Sequence, residues 1–173
     1  MKQMTVEVAI NIESGIGLRQ KQFLSRLASR VVRYTLRREG VDLRDVQVSV
    51  LFTSDDFIAS LNKRYRDEDG PTDVLAFPMS GDEEDVEGTE IEYDTGDDGG
   101  EDLTPMPRVL GDIVISLDTA ARQAESHGRP LRQELALLLI HGTLHLLGYD
   151  HDEPQKEAVM WEKQDAILKA LNI

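Results

Sequence analysis

The chain has 173 residues, no cysteine and a formal net charge of −14. A chain of this length buries roughly 70% of its unfolded surface, so residues 1–173 read as one domain that needs no staple; the lack of cysteine excludes disulfides and thiolate ligands, which leaves nitrogen and oxygen to hold any metal. The acidity speaks against a polyanionic partner only as an average, because twelve of the 33 acidic residues fall in residues 82–102, without a Lys or Arg, and the rest of the chain carries 21 acidic against 19 basic residues.

In chain order, Val6, Val8, Ile10 and Ile12 alternate with more polar neighbours, the period of a half-buried strand. The opening stretch lacks the continuous apolar run of a signal peptide, and no stretch approaches ~18 apolar residues, so a cytoplasmic protein without a membrane partner is expected. From Leu18 to Arg38 a helix is predicted, with Leu24, Leu27, Ala28, Val31 and Thr35 on one face and Gly40 at its end. A strand follows at Val46 to Phe52. Ser54 then fits the N-cap of a short helix through Phe57, Ile58 and Leu61. Val74 to Phe77 is a short strand that stops before Pro78, and residues 82–102, acidic and glycine-containing, read as a mobile insertion. Val109 to Ile115 is the next strand. Ser116 or Asp118 opens a helix closed by Gly128, Pro130 starts another running to Gly148, and Pro154 starts the last, reaching almost to Leu171. The sum is an α+β chain with a small sheet of about four strands and several helices.

The helix from Pro130 carries the most informative run, HGTLHLLGYDH at residues 141–151. Before it, LALLLI is apolar on every face, which suits a helix enclosed on all sides. His141 and His145 are four residues apart and project from one face, about 6 Å apart along the axis, so one cation can bridge them. A glycine at 148 permits the left-handed turn that returns His151 to the same cation. Three neutral imidazoles with one open position form a catalytic zinc arrangement, one Zn2+ per chain, although nickel or copper also suits such ligands. The spacing is that of an extended zinc-protease signature, yet Gly142 stands where a protease carries its catalytic glutamate. A histidine pair alone would equally suit a core or capping role; three of the chain's four histidines within eleven residues are harder to explain that way. His127, near a helix end, fits a surface position beside the C-terminal dipole.

HGTLHLLGYDH, with LNKRYRDEDGPTDVLAFP at 61–78 and LGDIVIS at 110–116, resembles the YbeY family of bacterial metal-dependent endoribonucleases. The three blocks stand in the family's order. The resemblance implies a single zincin-like domain and a zinc held by His141, His145 and His151. It implies cleavage of single-stranded RNA, with partners in the small ribosomal subunit and the rRNA precursor and roles in maturing the 3′ end of small-subunit rRNA and in ribosome quality control. DNA is not among the implied substrates. Arg66 matches the family's functional arginine. Two departures bear on substrate access: Ala76 occupies a position that is often serine, and the acidic insertion is unusually long.

Elementary chemistry adds to this. A peptidase needs a carboxylate to pass a proton to a poor leaving group, and Gly142 has none; a phosphodiester mainly demands charge stabilisation, which a metal and a cation provide. The planar fork of Arg66 suits phosphate oxygens, and Arg64 and Lys63 extend the contact, though all three also fit an ordinary surface helix. Asp73, Asp150 and Asp152 can orient a ligand or serve turns. Between Arg19 and Arg38 lie seven basic residues and no acidic one, with Arg26, Arg30, Arg33 and Arg37 forming a stripe that either tracks RNA or is a solvated face. Tyr34 and Tyr65 are candidates for base stacking, with core packing the plainer role. A metallopeptidase, a ribosome-binding factor with a structural metal and a hydrolase of small phosphate esters are the competing readings.

Overall fold

A computed structural model describes residues 6–12, 16–44, 46–79, 108–151 and 153–173, the first of these segments by its backbone alone. The acidic segment 82–102 and Asp152 lie outside the described residues, as do the facing directions of Val6, Val8, Ile10 and Ile12. The element order is β1 (Val6–Ile12), α1 (Leu18–Arg38), β2 (Val46–Thr53), α2 (Asp55–Arg66), β3 (Val74–Pro78), β4 (Arg108–Ser116), α3 (Leu117–Ser126), α4 (Leu131–Leu146) and α5 (Pro154–Leu171). The sheet runs β1-β2-β4-β3; β1, β2 and β4 are parallel, and β3 is antiparallel to β4. Parallel neighbours need a long crossover, which α1 supplies between β1 and β2.

The two faces of the sheet are unequal. Val48, Val50 and Phe52 of β2 are buried at alternate positions, in register with Gly111, Ile113 and Ile115 of β4, and they join Leu24, Val31 and Leu139 from the helices in the main core. On the opposite face Ile58 of α2 packs with Leu75 and Val114 in a smaller cluster. The expected short helix through Phe57, Ile58 and Leu61 is α2; Ile58 is fully buried, while Phe57 is 42% exposed. Helix α4 packs against α1, α3, α5, β3 and β4, which explains why its apolar residues run all the way round it.

One boundary differs from expectation, and two caps fall where expected. Strand β3 continues through Pro78, opposite Gly111; it is an edge strand, where a missing N–H costs no ladder bond on the open side. Ser54 occupies the N-cap of α2 without a side-chain cap bond, and the Asp55 N–H is taken by Asp118 Oδ2 at 3.0 Å. Ser116 is the cap of α3, accepting the Thr119 N–H at 3.1 Å. Asp118 therefore caps the neighbouring helix rather than opening its own.

Candidate metal centre

Helix α4 ends in the backbone pattern that the glycine implied. Leu147 is the C-cap, Gly148 follows at φ +87°, the Gly148 N–H donates to the His145 carbonyl at 2.9 Å and the Tyr149 N–H to that of Leu144 at 3.1 Å. These two bonds satisfy the last carbonyls and reverse the chain, so His151 comes back over the helix face that carries His141 and His145. Its ring centroid lies 5.9 Å from that of His141 and 5.1 Å from that of His145. The return loop is tied down from two sides: Asp150 Oδ1 accepts the His151 N–H at 2.7 Å, and the Tyr149 hydroxyl donates to Glu39 Oε2 at 2.6 Å. Lys163 donates to the same Glu39 oxygen at 2.9 Å. Burial opposes ionisation of Glu39, but the bonds from Lys163 and Tyr149 outweigh it and hold the carboxyl below its usual range.

The donor set fits a metal ion. His141 Nε2 and His145 Nε2 face each other at 3.1 Å, close to the ~3.3 Å separating two ligands of a tetrahedral ion with bonds of about 2.0 to 2.1 Å. One nitrogen from each of the three histidines lies within 4.8 Å of the others. Burial lowers the basicity of His145 from the ordinary 6.5 to about 4, helped by the neighbouring His141 and His151. Burial likewise depresses His141, against the pull of Gln164. These two rings are therefore neutral near pH 7, the form that binds a metal. Gln164 of α5, only 1% exposed, sets Oε1 3.1 Å from His141 Nδ1. Accepting the Nδ1–H fixes the tautomer and leaves the Nε2 lone pair directed at His145.

Gly142 is buried against the sheet, away from this nitrogen cluster. A Cβ there would stand 2.8 Å from Ile113 Cγ2, closer than real contacts allow. Any side chain at this position requires Ile113 or α4 to shift. The missing protease carboxylate thus coincides with a close packing contact.

Of the cations in the LNKRYR run, Arg66 is the one that bears on the histidines: its charge lowers the basicity of both His141 and His145. It is exposed at the last position of α2. Lys63 pairs at the surface with Asp67 at 3.0 Å and Asp69 at 3.2 Å, and Arg64 lies over the Tyr65 ring at 5.5 Å. Asp73 supports the charge of His141 while its own oxygens accept the Val74 N–H and the Gln123 amide at 2.7 and 3.0 Å. Tyr65 is 58% exposed and meets Phe77 edge-on, rather than packing in the core; Tyr34 does pack against it. His127 is the C-cap of α3 and lies 3.6 Å from the buried Glu134, remote in role from the other three histidines.

The arginine stripe of α1 is exposed at Arg26, Arg30, Arg33 and Arg37. Arg19, Arg26 and Arg30 line a groove of about 320 Å³ together with Arg132 from the first turn of α4. The Leu171 carbonyl holds one Arg30 nitrogen at 2.7 Å. Arg132 precedes His141 by nine residues, two and a half turns, which puts it about 14 Å away along the helix axis and on the opposite side.

The decisive comparison is with families of known sequence. A family model described as Endoribonuclease YbeY matches residues 10–172. This chain belongs to the YbeY family. Endoribonuclease YbeY of Lysinibacillus sphaericus is 41% identical over 149 residues, covering 86% of this chain and 87% of that protein. Endoribonuclease YbeY of Desulforamulus reducens is 40% identical over 163 residues, 94% and 95% of the two chains. Among solved structures, the solution structure of TM1509 from Thermotoga maritima is 29% identical, covers 94% of this chain and 87% of its own, and superposes with a TM-score of 0.53. The mixed α+β architecture is accordingly that of a YbeY protein. Gln164, Glu39, Tyr149 and Lys163 escaped the sequence reading of this YbeY chain. For Gln164 a signal existed: Met160, Ile167 and Leu171 are the buried stripe of α5, and a lone amide at its centre needs a partner.

Proposed function

We propose that this chain is a metal-dependent endoribonuclease acting on single-stranded RNA, a single domain with one Zn2+ held by His141, His145 and His151 and with Arg66 as the cationic partner in catalysis. The family resemblance implies its setting: the cytoplasm and the small ribosomal subunit, where it matures the 3′ end of the rRNA precursor and serves ribosome quality control. Among the described residues no helix is long and apolar enough to cross a membrane. The observation that carries the reading is the convergence of three histidine nitrogens within 4.8 Å of one another, in a chain of the YbeY family.

A zinc ion in this site supplies Lewis acidity toward a phosphodiester oxygen. The chain's own residues do the rest. His141 and His145 enter unprotonated because burial depresses their basicity. Gln164 keeps the His141 ring in the ligand tautomer. Arg66 presents a planar pair of N–H donors to two phosphate oxygens and stabilises the negative charge that builds on them. The α1 arginines, remote from the reacting phosphate, hold the backbone of a longer RNA. The buried Gly142 leaves α4 without the proton-transferring carboxylate that amide cleavage requires.

The test compares wild type with His145→Ala on single-stranded RNA, duplex RNA and a peptide. The expected outcome is cleavage of the single strand alone, abolished in the variant. Zinc-dependent cleavage of the peptide but not of RNA would overturn the proposal.

A further inference from the structure

A second cavity, of about 210 Å³, opens beside the histidines and shares two of them: His141 and His151 line it with Glu157, Met160, Trp161 and Gln164 of α5. Trp161 is the only tryptophan in the chain and is 53% exposed. Leaving so large an apolar ring in water is unfavourable by its area, and here the ring is also held in place, since its indole N–H donates to Glu157 Oε1 at 3.2 Å. Met160 is 2% exposed, one residue before it in the sequence, and adds a soft apolar surface to the same cavity. The lining is thus an oriented aromatic ring, a thioether, a carboxylate with lone pairs left over and two histidine edges.

We infer that this cavity is a nucleobase subsite, in which a base flanking the scissile phosphate stacks on Trp161 while the phosphate lies at the histidines. The inference rests on the endoribonuclease reading of the same site and adds to it the residue that grips the base. Three features of the cavity favour a base over the other parts of RNA. An exposed, fixed indole offers a flat face, and bases stack on such faces whatever their sequence. Glu157 repels a phosphate but accepts a hydrogen bond from an exocyclic amino group, which adenine has and uracil lacks. The cavity adjoins His141 and His151, so a base placed there belongs to a nucleotide next to the one under attack. Trp161 is therefore a substrate-binding residue, and oligoadenylate is held more tightly than oligouridylate.

The lone tryptophan is also the reporter. In the full-length, metal-loaded protein, stopped-flow mixing with short oligoadenylate reads indole emission ahead of cleavage, while the anisotropy of a dye-labelled copy of the same RNA reads binding independently. Expected are quenching of Trp161 with the concentration dependence of the anisotropy signal, and binding weakened about tenfold or more in Trp161→Ala. Trp161→Phe, which keeps an aromatic face but not the indole emission, should recover most of that affinity. In steady-state cleavage, Trp161→Ala should raise KM more than it lowers kcat. Binding seen by anisotropy with unchanged emission, or with equal affinity in Trp161→Ala, would overturn the subsite. No RNA binding or cleavage by wild type in either channel would overturn the endoribonuclease reading itself, and the subsite with it.

Discussion

At the scale of single residues, the site depends on groups that touch the three histidines without being part of them. Gln164 sets the tautomer of His141 through one bond of 3.1 Å. Gln164→Leu removes that bond while keeping the volume, and metal affinity measured by competition with a chromophoric chelator should fall 10- to 100-fold, roughly the usual effect of losing a partner behind a ligand. Arg66 should behave differently: Arg66→Ala keeps metal and fold yet lowers RNA cleavage by about 10²- to 10³-fold, the order expected for a lost donor to developing charge. Arg66→Lys should restore little of it, since a point charge lacks the two-pronged fork. Unchanged turnover in Arg66→Ala would remove the residue from the mechanism. The low basicity of His145 has its own consequence for metal-free protein. Its proton affinity is about 4 when folded and 6.5 in the ordinary state, so as pH falls below about 6.5 the unfolded chain takes up the proton first and folding loses stability until about pH 4. Urea midpoints of chelator-treated protein should drop across that window, and drop less in His145→Asn. A flat profile in wild type would contradict the burial of this ring.

At the scale of elements, the close approach of α4 to β4 at Gly142 has a direct cost if disturbed. Gly142→Ala places a methyl 2.8 Å from Ile113 Cγ2, and overpacking of this kind costs about 1 to 3 kcal/mol; a lowered denaturation midpoint checks it, and an unchanged one would mean that the helix and sheet yield easily. Much of the architecture was legible because it is periodic. The helix from Leu18 to Arg38 has an apolar face that repeats every three or four residues, and β2 alternates from Val46 to Val50, so both could be read locally. The three histidines were legible for the same reason: an i, i+4 pair and a glycine turn are short-range geometry. What remained hidden was long-range. Glu39 meets Tyr149 and Lys163 across more than a hundred residues, and Gln164 meets His141 from another helix; no local pattern encodes such partners. Pro78 misled because the identity of a residue does not reveal which strand lies at an edge. The pairing of Lys63 with Asp67 and Asp69 was hidden too, because it forms only once α2 ends in its left-handed turn at Asp67.

For the whole molecule, charge is distributed against its average. Four arginines line one groove of a chain whose net charge is −14, and twelve acidic residues are gathered in residues 82–102. With RNA backbone in the groove, Arg26→Ala combined with Arg132→Ala should weaken binding of long single-stranded RNA. It should also flatten the plot of log affinity against log salt by about 1.4, two contacts at ~0.7 each. An unchanged slope would assign the groove to solvent. Replacing residues 82–102 by a short Gly/Ser linker should raise RNA affinity at low salt, with the gain shrinking as salt is added, because exposed charges are screened over about 8 Å at physiological ionic strength. Equal affinity at every salt concentration would mean that the acidic segment does not act on the RNA path. Both effects would modulate the chemistry proposed for the three histidines. The most direct measurement is metal content per chain alongside single-stranded RNA cleavage, in wild type and in the double variant His141→Ala, His145→Ala. Metal-dependent cleavage at these histidines requires about one transition-metal ion per chain and active cleavage in wild type, with both lost in the variant. Full metal occupancy in the double variant, or cleavage that survives there, would contradict it.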